Sequence, residues 1–127
     1  VYDLDGDGRS EVACKTAPGT VDGTGKYVLL DGDDPLADYR TPVGDEVVGT
    51  IMEGPEYLTV FDGETGAEVT TIPYVPGRDV TNDWGDRKAN RSERYLACVA
   101  YLDGEKPSLV MCRGYYMQAY IAAFDFD

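Results

Sequence analysis

Residues 3 to 11 read Asp3-Leu4-Asp5-Gly6-Asp7-Gly8-Arg9-Ser10-Glu11, four carboxylates in nine positions with two glycines to turn the chain. Carboxylates this close repel one another, and a hard divalent cation removes the repulsion. Calcium takes six to eight oxygen ligands at loosely defined angles, and Asp3, Asp5 and Asp7 stand where positions 1, 3 and 5 of a calcium loop stand. Arg9 would add its backbone carbonyl, and Glu11 would close the site directly or through water. A helix–loop–helix calcium site needs a bidentate glutamate at its twelfth position, which here is Cys14. Val12-Ala13-Cys14-Lys15-Thr16 follows and Val1-Tyr2 precedes, so the expectation is a calcium-type loop between two strands. An acidic turn without metal is the plain alternative.

The chain has 127 residues, with 11 Lys and Arg against 24 Asp and Glu and a net charge of −13. That length suits one ordinary domain. The charge argues against nucleic acid, whose binding rests on cationic contacts to phosphate. It suits a secreted protein that holds calcium. No apolar run is long enough to span a membrane as a helix. No signal peptide is visible, and both ends fall in strand-like runs (Val1 and Phe124-Asp125-Phe126-Asp127), so the chain reads as an internal piece of a longer protein. Cys14, Cys98 and Cys112 fit neither a disulfide framework nor a zinc spacing. They read as small buried residues in strands, with a Cys98–Cys112 cross-strand pair open in an oxidising compartment. Histidine is absent, which removes the commonest general base.

Strands are expected at Tyr57–Phe61, Ala67–Ile72, Tyr95–Leu102, Ser108–Cys112 and Gln118–Phe124, separated by turns such as Asp62-Gly63-Glu64-Thr65-Gly66 and Asp103-Gly104-Glu105-Lys106-Pro107. No stretch has a long helical period. Leu4-Asp5-Gly6 returns as Leu102-Asp103-Gly104, each time before a strand, and an aromatic-rich strand follows later in both units. The second copy lacks the acidic ligands. Repeated antiparallel groups joined by tight turns point to propeller blades. The all-β chain is then about two blades with long insertions. Residues 1–94 form a blade without its first strand, carrying the loop 3–11 and insertions at 17–55 and 73–93. Residues 95–127 supply the first three strands of the next blade. Long loops in compact domains are often functional. The first holds Asp31, Asp33, Asp34 and Asp38. The second holds Asp79, Asp83, Trp84, Asp86, Asn90, Arg91 and Arg94. Trp84, the one tryptophan, reads equally as a platform for a sugar and as an anchor that tucks its loop onto the blade.

Several blocks together resemble the secreted rhamnogalacturonan lyases of polysaccharide lyase family eleven. They are Tyr2 to Gly8, Glu11 to Thr16, Asp22-Gly23-Thr24-Gly25-Lys26, Ala37-Asp38-Tyr39-Arg40, Gly54 to Gly63, Asp83-Trp84-Gly85-Asp86, Asn90-Arg91, Ala100 to Gly104 and Pro107 to Tyr116. The likeness runs through the whole chain in order. It implies an eight-bladed calcium-binding propeller that cleaves the rhamnogalacturonan I backbone of pectin by β-elimination at galacturonate. This chain would be an inner part of a longer, monomeric parent. Two places depart from the pattern: Pro18, where the family tends to carry Asp, and Met117-Gln118, where it tends to carry Thr-Arg.

Elimination at galacturonate sets three tasks: neutralise the carboxylate, remove the C5 proton, and meet the oxygen leaving C4. Calcium, Arg or Lys serves the first by electrostatics. The substrate and the segment are both anionic, so local cations must outweigh the global charge. The candidates are Lys15, Arg91, Arg94 and Arg113, with Trp84 and Tyr115 for sugar contact; each cation has pairing with a nearby acid as its plain alternative. Of Tyr115 and Tyr116, one is expected in the core, since strand neighbours face opposite ways. No residue here is assigned as the base. The competing reading is a non-catalytic calcium-binding propeller module for adhesion or glycan binding.

Overall fold

A computed structural model of the chain describes residues 1–40, 51–78, 84–86 and 89–126. Among these residues there are six strands and no α-helix, so none is available to cross a membrane. Three strands, β1 (Glu11–Thr16), β2 (Tyr57–Asp62) and β3 (Glu68–Pro73), form one antiparallel sheet in the order β1-β2-β3. Three more, β4 (Ala97–Ala100), β5 (Ser108–Arg113) and β6 (Tyr120–Asp125), form a second in the order β4-β5-β6.

Turn chemistry fixes the hairpins. Between β2 and β3, Asp62 Oδ1 accepts bonds from the Thr65 amide and hydroxyl, both at 2.6 Å, and Gly66 adopts a left-handed φ of 72°. Asp103 does the same work before β5, accepting from the amides of Glu105 and Lys106 at 2.8 and 3.0 Å. Backbone amides thus occupy Asp103 in this turn, where Tyr101 and Leu109 stand at the positions of Asp3 and Glu11. The first insertion is clipped to the β2–β3 turn: Gly23 donates to the Gly66 carbonyl at 2.7 Å, and a Cβ on Gly23 would stand 2.2 Å from the Thr65 carbonyl. Asp22 completes the clip, with Oδ2 on the Glu68 amide at 3.0 Å and Oδ1 on the amides of Thr24 and Lys26.

The central strands β2 and β5 are buried along most of their length, and the core forms where they meet. Leu58, Tyr74, Leu109 and Met111 are its enclosed members, with Ala13, Tyr95 and Phe124 packed against them. Within the first sheet a row of hydroxyls runs across three strands. Thr16 Oγ1 lies 2.6 Å from Thr59 Oγ1, Thr59 lies 3.1 Å from Thr71, and Thr71 donates to Glu68 Oε1. Thr59 is wholly enclosed (0% exposed) and directly opposite Thr71.

The repeat takes a definite place in the two sheets. The Leu-Asp-Gly turn enters edge strand β1 in the first sheet but central strand β5 in the second. The position that β4 holds beside β5 is marked in the first sheet by a single bridge, Tyr2 to Glu11, with bonds of 3.1 and 2.8 Å. Two expectations about cysteine need correction. Cys98 pairs in register with Val110, while the Cys112 amide bonds the Leu96 carbonyl at 2.8 Å, so the two thiols are offset along the ladder and free. None of the three is buried: Cys98 is exposed, because β4 is an edge strand, and the others are intermediate.

Candidate functional site

The acidic loop is held open by its own backbone. Asp3 accepts from the Gly6 and Gly8 amides at 2.7 and 3.0 Å, Asp5 from Asp7 at 3.0 Å, and Asp7 from Arg9 at 2.7 Å. Gly6 and Gly8 have φ of 80° and 89°, left-handed values that cost an L-residue about 1–2 kcal/mol. Glu11, the first residue of β1 and buried, reaches back to the Leu4 amide at 2.7 Å. Carboxylate oxygens of Asp3, Asp5 and Glu11 thereby lie within 4.8 Å of one another. The donors are all hard oxygens, which suits calcium. Asp7 stands outside that trio, and the Arg9 side chain pairs with Glu64 in solvent.

Lys15 and Arg113 meet in a second, interior cluster that joins the two sheets. Glu56, at the head of β2, is its centre and is 8% exposed. Its carboxylate takes Arg113 Nη1 at 2.8 Å and Nη2 at 3.1 Å, Lys15 Nζ at 3.2 Å and Arg78 Nη2 at 3.3 Å. Glu93 joins Lys15 at 3.6 Å, Arg78 at 2.7 Å and Arg113 at 3.3 Å. Arg113 is 1% exposed, and Nε and Nη1 also donate to the carbonyls of Ser92 and Pro76 at 3.0 and 3.1 Å. All five of its N–H donors are thus spent on protein acceptors. The Tyr95 hydroxyl lies 3.2 Å from Glu56 Oε2 and 3.1 Å from Glu93 Oε2, one proton between two carboxylates.

These contacts set the protonation states. Burial pushes the Glu56 carboxyl up, but hydrogen bonds from Arg113 and the charges of Lys15, Arg113 and Arg78 outweigh it and hold the group below its ordinary 4.5. Burial, then the charges of Glu56 and Glu93, push the Tyr95 phenol far above its ordinary range. Burial carries Tyr74 up to about 12. Neither phenol is suited to take a proton near neutrality. Glu56, Arg78, Glu93 and Tyr95 did not stand out in the sequence. The one available signal was a charge at the end of each buried strand, Glu56 before β2 and Arg113 closing β5.

Trp84 is 5% exposed and packs edge-on to Tyr120 at 5.9 Å, with the Arg113 guanidinium 5.9 Å from its ring. Gly114 makes room for it: a Cβ there would fall 1.9 Å from Trp84 Cζ3. The ring therefore anchors its loop and offers no open face to a sugar. Outside Trp84 lies a layer that reaches solvent. Arg91 donates to the Trp84 carbonyl at 3.2 Å and lies 5.0 Å over the Tyr116 ring; Arg94 lies 5.8 Å over Tyr115. Asn90 ties the layer together, donating to the Tyr115 hydroxyl at 2.9 Å and accepting from Arg94 Nη2 at 2.7 Å. Contrary to expectation, neither tyrosine enters the core: β5 ends at Arg113, so the strand alternation no longer applies at Tyr115 and Tyr116. Tyr116 has a left-handed φ of 64°, which costs a residue with a Cβ about 1–2 kcal/mol. The candidates Asp79 and Asp83 lie outside the described residues.

The model of the family described as Rhamnogalacturonan lyase family 11, C-terminal domain, matches residues 1–127. The rhamnogalacturonan exolyase YesX of Bacillus subtilis (strain 168) is 55% identical over 126 residues, covering 99% of this chain and 19% of that protein. The rhamnogalacturonan endolyase YesW of the same organism is 52% identical over 126 residues, with the same coverage of 99% and 19%. Among solved structures, the crystal structure of exotype rhamnogalacturonan lyase YesX has a TM-score of 0.86 and 54% identity over 98% of this chain and 19% of its own. The rhamnogalacturonan lyase PL11 of Bacillus licheniformis also has a TM-score of 0.86 and 54% identity, over 98% of this chain and 20% of its own. The chain spans about a fifth of the length of these relatives.

Proposed function

The chain belongs to rhamnogalacturonan lyase family 11, and from that premise we propose that it is part of a secreted polysaccharide lyase that cleaves the rhamnogalacturonan I backbone by β-elimination at galacturonate. The observation that carries this reading is the match of the family model to all 127 residues. Two relatives more than half identical, one named an exolyase and one an endolyase, agree on the reaction class and differ on the mode of attack. The parent acts as a monomer.

In this reading the chain supplies scaffold and substrate contact, and the proton-abstracting base comes from elsewhere in the parent. Lys15 and Arg113 are bound to Glu56 and Glu93, and Trp84 is covered, so these three hold the site's frame. Arg91 and Tyr115, toward solvent, are the members placed to meet the polymer: the guanidinium offsets the uronate charge and the phenol contacts the sugar. The frame is part of an eight-bladed propeller. The lone bridge at Tyr2 supports it, because it marks a fourth strand position in the first sheet equivalent to β4 in the second.

Calcium would be held by Asp3, Asp5, Asp7, the Arg9 carbonyl and Glu11. It would neutralise the converging carboxylates and pin the turn, a structural role. In the full-length parent, Asp5→Ala with Asp7→Ala is expected to bind one calcium ion fewer per chain in a titration. Equal stoichiometry in variant and wild type would remove the site. The reaction itself is tested by the absorbance of the unsaturated uronate product when the parent meets rhamnogalacturonan I, with and without chelator. A rise supports the lyase. No rise in either condition rejects it and leaves the non-catalytic binding module.

A further inference from the structure

The chain carries more than twice as many acidic as basic side chains, 24 against 11, and most described arginines are paired accordingly. Arg9, Arg40, Arg78 and Arg113 each have a carboxylate within 4.0 Å. Among the described residues the guanidinium groups of Arg91 and Arg94 form no such ion pair, although Asp86 Oδ2 accepts from the Arg91 amide at 2.8 Å; each guanidinium lies over a tyrosine ring, at 5.0 and 5.8 Å. The two rings lie against each other with centroids 4.9 Å apart. Tyr116 is 82% exposed, so packing does not explain why a residue with a Cβ is kept left-handed there. Strained backbone of this kind concentrates at ligand clamps.

We propose that Arg91, Arg94, Tyr115 and Tyr116 form a subsite for one uronate of an acidic polysaccharide and the sugar beside it. A guanidinium stacked on a ring keeps its N–H groups in the plane of its edge. Arg91 Nη1 and Arg94 Nη2 already donate to the Trp84 carbonyl and Asn90 Oδ1, which leaves the other N–H groups of each for a carboxylate, and the exposed Tyr116 ring gives the apolar face of a sugar a surface to cover. Asn90 fixes the spacing, since it holds Arg94 and Tyr115 at once. The subsite adds Arg94 and the strained Tyr116 to the substrate contacts above, and it rests on the reading of the parent as a protein that acts on acidic polysaccharide.

The test uses the full-length parent and its Tyr116→Gly and Arg94→Gln variants. Glycine accepts the left-handed backbone without strain, so the first variant removes the ring and leaves the fold. Calorimetry measures binding of oligogalacturonate, of neutral galactan, and of rhamnogalacturonan oligosaccharides trimmed until the wild type no longer shortens them. Each variant is expected to bind the acidic glycans about tenfold more weakly, with the loss carried by KM in the cleavage assay and with no fall in melting temperature for Tyr116→Gly. The wild type should prefer the acidic glycans to galactan, and added salt should narrow the difference. Unchanged affinity and KM in both variants overturn the subsite, as does a wild type that binds no acidic glycan. If acidic glycans bind and the variants weaken them while nothing is cleaved, the subsite stands and the lyase reading falls. Cleavage with unaltered KM in the variants has the opposite meaning.

Discussion

Glu56→Ala in the full-length parent is expected to lower amide protection in β2 and β5 by roughly two to four orders of magnitude, a loss of about 3–5 kcal/mol. Removing one partner from a buried ionic cluster costs more than the cluster ever contributed, because the remaining charges stay buried without compensation. Three cations, Lys15, Arg78 and Arg113, converge on Glu56 and Glu93. Without Glu56, one carboxylate faces all three, and Arg113, with its side chain at 0% exposure, has no route to water. Glu56→Gln keeps the volume and some hydrogen bonds, so it should lose less than the alanine variant. Protection within tenfold of wild type in Glu56→Ala would show that the cluster is not what joins the sheets. The pH dependence follows from the same group. Its folded pKa lies below the ordinary 4.5, so its contribution is present above that value and is lost as pH falls through the folded pKa. Acid destabilisation below pH 4.5 should therefore be shallower in Glu56→Gln than in wild type.

Gly114→Ala is expected to expel Trp84 from its seat and to destabilise the segment by about 2–4 kcal/mol, combining left-handed strain with overpacking. Gly114 has a φ of 88°, and its added Cβ would lie 1.9 Å from Trp84 Cζ3 and 2.7 Å from the Gln118 carbonyl. The ring has to move, and with it the carbonyl that Arg91 bonds. Fluorotryptophan resonances, assigned by Trp84→Phe, would show the Trp84 signal shift toward its solvent-exposed value. A smaller side chain at 84 should restore part of the loss, so Gly114→Ala with Trp84→Leu ought to be more stable than the simple sum of the two changes predicts. A Trp84 signal that stays put, with stability within about 0.5 kcal/mol of wild type, would refute the seat.

Much of the strand pattern was legible because it rests on local chemistry. The turn residues Asp62-Gly63-Glu64-Thr65-Gly66 and Asp103-Gly104 announce their hairpins, and the strands beside them fall within a residue or two of expectation. Tyr95–Leu102 shrinks to Ala97–Ala100, losing two residues at each end; at the first end Tyr95 turns toward the core, edge-on to Tyr74 at 5.4 Å. Arg113 was misleading for a specific reason. Ser108 to Met111 are buried consecutively, so β5 is covered on both faces and shows no alternation from which to read direction. The ionic cluster was opaque because its partners are far apart in sequence and each is an ordinary charge until the sheets meet. Trp84 stayed ambiguous until the space at Gly114 was visible. The geometry of the acidic loop was the opposite case, since its carboxylates, its glycines and its following strand are all contiguous.

The row of threonines in the first sheet has an orientation. A carboxylate accepts and does not donate, so the Thr71 proton goes to Glu68. Thr71 must then accept from Thr59, and Thr59 from Thr16. Each hydroxyl has a single proton, so the order propagates from Glu68 back to the edge strand. A valine at Thr59 would interrupt the row, leaving the Thr16 hydroxyl without its acceptor and the Thr71 oxygen without its donor. Through the history of the family these positions should therefore drift as a set: relatives that give up Thr59 should also have given up Thr16 or Thr71, and lineages keeping both with valine between them would contradict this. What looks like three independent polar residues in a β-sheet is one hydrogen-bonded unit, whose members have to be exchanged together.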